Sequence, residues 1–162
     1  MTTTDLTPWL EPLAKYVSMD RLVRRVEAAV KFLPDAEVVK AVLPSYAIGN
    51  DGTTLTQLVL VSSNLVCDIK LSTPDDGAEF DFAPMRSIRD YRYRGWHHEI
   101  KVDDVVQASF ELGEITWVHD FGHSHTTVLT YAGSASGREA WIEQVIDAVP
   151  LTVVVALSLI HI

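Results

Sequence analysis

The chain has 162 residues, a length expected to form one domain, and its 48% apolar and 22% charged residues exclude a disordered polymer. Acids outnumber bases 22 to 13, and the net charge of −9 works against a general nucleic-acid binder, because phosphate affinity needs clustered Lys and Arg. A single cysteine, Cys67, excludes an intrachain disulfide framework and any multi-cysteine zinc site.

The start, Met-Thr-Thr-Thr-Asp, lacks the basic stretch and apolar core of a signal peptide, so a cytoplasmic protein is expected, in solution or peripheral to the membrane. Residues 1–34 read as helical. Thr7 followed by Pro8 is an N-cap with a first-turn proline, and Pro12 keeps that helix short. From Ser18 onward, Met19, Leu22, Val23, Val26, Val30 and Leu33 recur at three- and four-residue steps, the apolar face of an amphipathic helix that Pro34 ends. Arg21, Arg24, Arg25 and Lys31 are assigned to its solvated face.

Residues 35–150 then change to an extended period. Strands are expected at Val38–Ile48, TQLVLVSS, LVCDIKLS, EFDF, SIRDYRYR, VVQASFEL, EITWV and HTTVLTYA. Turns are expected at Gly49–Gly52, Ser63-Asn64, Asp75-Asp76-Gly77, Gly95, Leu112-Gly113-Glu114 and Phe121-Gly122. Ser136 is read as the cap of a closing helix with a stripe of Ile142, Val145, Ile146 and Val149. Trp141 falls beside that stripe, where it would anchor a partner or neighbouring subunit, or plug the end of the sheet structure. Residues 151–162 form an apolar tail too short to span a bilayer. Its last six residues, Leu157–Ile162, match the translation of a transposon adapter used in sequencing libraries and are expected not to belong to the natural chain.

About seven short antiparallel strands closed by one amphipathic helix imply an α+β, mainly β architecture, either a barrel or a sandwich. LVLVSSNLVCDIKL, REAWIEQVIDAV and the opening LPDAEVVKAVLPSYAIG together resemble bacterial pleckstrin-homology-like (PH and GRAM-type) domains. The resemblance runs from Asp35 to Val149. It implies a PH-like barrel or sandwich, a binding role and an anionic head group as ligand. The loop that holds phosphate in many PH domains corresponds here to Gly49–Thr54, which has no Lys or Arg.

The stretch Met85–His98 carries Arg86, Arg89, Arg92 and Arg94 against the single acid Asp90, a basic island on an acidic chain. Guanidinium groups suit phosphate or carboxylate. Strand alternation sends Tyr91 and Tyr93 to one face and Arg92 and Arg94 to the other, which disfavours a stacking platform for nucleic acid. Arg86, Arg89, Arg92, Arg94, Trp96 and His98 are the candidate contact residues.

Histidines form a second group, His97-His98-Glu99 and His119 with His123 and His125. Imidazoles and carboxylates at this density can hold zinc, with His119, His123 and His125 as the candidate ligands, although the helical zinc-protease spacing is not met. Asp120-Phe121-Gly122 lacks the companion motifs of a kinase and reads as a turn. Cys67 sits in an apolar strand, as a buried inert thiol would. No nucleophile–base pair emerges. The expectation is a non-catalytic binding or scaffold module with no cofactor, contacting a protein partner, a second subunit or an anionic lipid head group. The alternative is a small-molecule or zinc-binding protein built on the histidines.

Overall fold

The computed structural model describes residues 6–49, 52–72, 79–122 and 124–150. The readings at Asn50-Asp51, Asp75-Asp76, His123 and the tail from 151 onward lie outside the described residues. Pro8 occupies the first turn of α1 (Thr7–Leu10), but Thr7 is inside the helix and Leu6 precedes it without a side-chain cap. A 3-10 turn over Glu11–Leu13 follows. Ser18 caps α2 (Met19–Val30) by accepting the Arg21 backbone N–H. The buried residues of α2 are Leu22, Arg25, Val26 and Ala29, at i, i+3, i+4 and i+7. Arg25 therefore departs from the expected solvated face: it stands within the buried stripe and is 3% exposed.

Seven strands follow: β1 (Val39–Gly49), β2 (Gly52–Ser62), β3 (Leu65–Lys70), β4 (Glu79–Pro84), β5 (Ile88–Val102), β6 (Val105–Asp120) and β7 (Ser124–Gly133). They form two antiparallel sheets, β1-β2-β3-β4 and β5-β6-β7, and no ladder among the described residues closes them into a barrel. The first sheet is covered on both faces. Leu58 and Leu60 pack with Leu10, Leu22 and Val26 of the helices, whereas Val59 and Val61 pack with Ile115, Trp117 and Leu129 of the second sheet. A strand buried on both faces has no polar side to show, which is why LVLV reads as a continuous apolar run. β6 borders solvent on its outer face, and its burial alternates strictly from Gly113 to His119.

Helix α3 (Ala135–Ala148) closes one end of the space between the sheets. Its cap is Ser134, which accepts the Gly137 N–H, two residues before the expected Ser136. Trp141 is 2% exposed and donates Nε1–H to the Pro44 carbonyl at 2.9 Å, so it plugs the end of the fold instead of reaching outward. β1 and β7 meet through Ser45, whose Oγ accepts the Thr130 N–H at 2.8 Å.

Two expected turns are absent. Gly95 and Gly113 lie directly opposite each other inside the β5–β6 ladder, which runs unbroken in direction from Ile88–His119 to Val102–Val105. They are spacers. A Cβ on Gly113 would stand 3.3 Å from Arg138 Cδ and from the Trp141 ring, and one on Gly95 would meet the Tyr93 hydroxyl at 2.6 Å. The strand must be bare there for α3 to lie close.

Candidate functional site

The turn of the long hairpin falls at Asp103-Asp104, both with left-handed φ (51° and 65°), a two-residue loop of the kind that matches strand twist. Aspartate is among the few non-glycine residues that tolerate this conformation. β7 pairs with β6 only from Glu111 to Asp120. Beyond that point, His98–Val102 and Val105–Phe110 continue as a two-stranded arm, about 17 Å long at 3.3 Å per residue. Every residue from Arg92 to Gln107 is exposed.

Register sorts the arm into two chemically different faces. One face carries the cross-strand pairs Trp96–Leu112, His98–Phe110, Ile100–Ala108 and Val102–Val105. The other carries His97–Glu111, Glu99–Ser109 and, past a bulge at Gln107, Lys101–Val106. The first is an apolar ladder standing in solvent: Trp96 and Ile100 are each 37% exposed, Val102 56% and Val105 59%. An isolated two-stranded ribbon is marginal in water.

The polar face is an ion-pair network. His97 places Nδ1 2.8 Å from Glu111 and Nε2 3.4 Å from Glu99, and Glu111 also meets Arg138 at 3.1 Å. The hydrogen bond to Glu111, with the charge of both glutamates, raises the His97 pKa above 6.5.

Of the residues expected to make contact, Arg92, Arg94, Trp96 and His98 share the outer face of β5, continuous with the apolar ladder. Trp96 is therefore on the arginine face, opposite to Tyr91 and Tyr93. Arg94 lies 4.4 Å from the centre of the Trp96 ring. Arg92 Nε is 2.6 Å from Asp90, and Arg94 Nη2 is 3.7 Å from Glu114. These carboxylates neutralise much of the basic island. Arg86 stands apart, in the 3-10 turn before β5, lining a shallow groove of about 410 Å³ with Ser63, Asn64, Leu65, Pro84 and Met85. Arg89 is half-buried and reaches back to the Arg86 carbonyl at 3.5 Å.

The histidines are divided between distant places. His97 and His98 belong to opposite faces of the ribbon near the arm, whereas His119 and His125 lie at the far end of β6 and β7. His119 is fully buried. Ser87 Oγ donates to the Pro84 carbonyl at 2.6 Å and lies 2.9 Å from His119 Nδ1, and Thr127 Oγ1 lies 3.1 Å from Nε2. Burial, then the charge of His125, pushes His119 down to about 4. This serine–histidine pair is closed to solvent, and both imidazole nitrogens are engaged. His125 Nε2 lies 3.7 Å from Asp68, a carboxyl that burial pushes up to about 6. Among the described residues, no three His, Cys, Asp or Glu side chains are placed to hold a metal ion. Cys67 is fully buried, and burial pushes its thiol pKa up.

Sequence reading missed the arm and the buried Asp68. The signal for the arm was present in Val-Asp-Asp-Val, a two-residue turn flanked by β-branched residues, with Trp96, Ile100 and Val102 at even positions of an otherwise polar strand. No helix among the described residues is long and apolar enough to cross a membrane. No protein-family model matches this sequence, and neither curated proteins nor solved structures give a match.

Proposed function

We propose that this chain is a non-catalytic binding module of PH-like type that docks a protein partner through the apolar face of the β5–β6 arm. One observation carries the reading: the ladder from Trp96–Leu112 to Val102–Val105 is apolar but for His98, and no described residue covers it. About seven antiparallel strands closed by one helix is what the resemblance to PH and GRAM-type domains implies, and the seven strands followed by α3 support that reading. A protein is favoured over a membrane surface because the arm ends in Asp103-Asp104, which would place two carboxylates deepest in an anionic bilayer. The sealed Ser87–His119 pair supports a structural histidine and a non-catalytic role.

The test is site-specific photo-crosslinking in cells. A photoreactive phenylalanine analogue at position 100 should give a discrete adduct, and the same group at the exposed Glu143 of α3 should give none. Equal labelling from both positions, or none from position 100, would overturn the reading.

A further inference from the structure

Among the described residues β5 is an edge strand: its one neighbour is β6, and no described strand pairs with the backbone N–H and C=O groups of its other side along the arm. Natural edges are guarded by proline, bulges, short length or charged side chains, and the charges on the arm, Glu99 and Lys101, are of opposite sign. From Arg92 to Val102, β5 has no proline, and the irregularity at the arm belongs to β6, where Gln107 is the extra residue. The strand is regular, long and open.

We infer that the occupant of this edge is a second copy of the chain, paired antiparallel, β5 to β5, about a two-fold axis at Ile100. This rests on the reading of the arm as a docking element and names what pairs with its open edge, leaving the doubled apolar face to the partner proposed above. In an antiparallel pair centred on one residue, positions equally far before and after it lie opposite each other, on the same face. Centred at Ile100, Glu99 faces the partner's Lys101 and Lys101 faces the partner's Glu99, two opposite-charge pairs generated by one symmetry operation. On the other face, Ile100 meets the partner's Ile100, and His98 meets the partner's Val102. The two apolar ladders then form one surface of a four-stranded sheet. A pairing shifted by one residue would set charged residues beside apolar ones on both faces. A pairing centred at His98 would leave Lys101 opposite the partner's Gly95.

Sedimentation of the purified protein at about 100 µM tests this. The wild type should run at twice the chain mass. Glu99→Lys places like charges opposite each other at both pairs, as does Lys101→Glu. Each should weaken association on the order of tenfold and shift the chain toward monomer. Mixing the two variants should restore the dimer, because one strand then carries two lysines and the other two glutamates. This rescue also shows that both variants are folded. A monomeric wild type, a Lys101→Glu variant whose dissociation constant across a dilution series equals that of the wild type, or a mixture that associates no more tightly than either variant alone each overturns the pairing. If the wild type is monomeric while position 100 crosslinks to a protein of another mass, the arm docks and the second copy is the wrong occupant. If position 100 crosslinks to nothing, the docking reading falls with it.

Discussion

Replacing Asp68 by Asn should stabilise the protein at neutral pH and leave its stability in acid unchanged. The Asp68 side chain projects between the sheets, with Oδ2 3.7 Å from His125 Nε2 and Oδ1 buried without a hydrogen-bond partner. Its carboxyl is pushed up from 3.8 to about 6, first by burial and then by Asp81, against the attraction of His125. A carboxyl raised in this way keeps its proton in the fold after the unfolded chain has released it. The stability it contributes is therefore fully present below about pH 3.8 and is lost as pH rises through about 6. The displacement is about two units at 1.36 kcal/mol each, which gives roughly 3 kcal/mol. Asparagine keeps the shape of the group without the ionisation. Urea unfolding of the wild type and Asp68→Asn should show a gap near zero at about pH 3.5, widening to about 2–3 kcal/mol at about pH 7.5. A gap that does not change with pH, or a variant less stable than the wild type at pH 7.5, would refute burial as the dominant effect on this carboxyl.

His119 acts with the opposite sign. Its folded pKa is depressed to about 4, so the stability it contributes is present above about pH 6.5 and falls by roughly 3 kcal/mol as pH drops toward 4. In the Asp68→Asn background that loss should remain between about pH 6.5 and 4 in the same urea series, and a flat profile over that range would refute it. Trp141→Ala should destabilise the fold by about 3–5 kcal/mol, since it empties the end of the inter-sheet core and orphans the Pro44 carbonyl. Thermal unfolding reads this directly, and a loss within experimental error would mean the helix is not a plug. Vesicles rich in anionic lipid should not float the protein, because Asp90 and Glu114 already neutralise Arg92 and Arg94. Flotation that is abolished by Arg92→Ala with Arg94→Ala would reverse that conclusion.

How much of this was legible in the sequence depends on whether a signal was local. Ser18 and the stripe from Leu22 to Val26 located α2, because a cap and a 3.6-residue period are both written within one turn or two. The runs LVLVSS and LVCDIK located β2 and β3 for the same reason. Gly95 and Gly113 misled because glycine has two uses, and only the approach of Arg138 and Trp141, about 25 and 28 residues beyond Gly113, shows that these serve close contact. The arm was divided into separate strands by those false turns, so its amphipathic face could not be traced across it. Arg25 was misplaced because a long side chain can bury its stem at a position whose identity suggests solvent. His119 and Asp68 needed the fold itself: their partners Ser87 and His125 are 32 and 57 positions away.

The bond from Trp141 to the Pro44 carbonyl spans 97 residues of chain. During synthesis, at roughly 5–20 residues per second, several seconds therefore separate the appearance of Pro44 from that of the side chain that seals it. Over that interval Leu43, Val59, Ile115 and Trp117 border an unsealed space, and β1 has no β7 to lie against until the Thr130 hydroxyl arrives. The described part of the fold is closed by α3, with the early strands held in waiting. Slow, non-local closure of this kind favours chaperone capture of the nascent chain up to the moment that α3 docks.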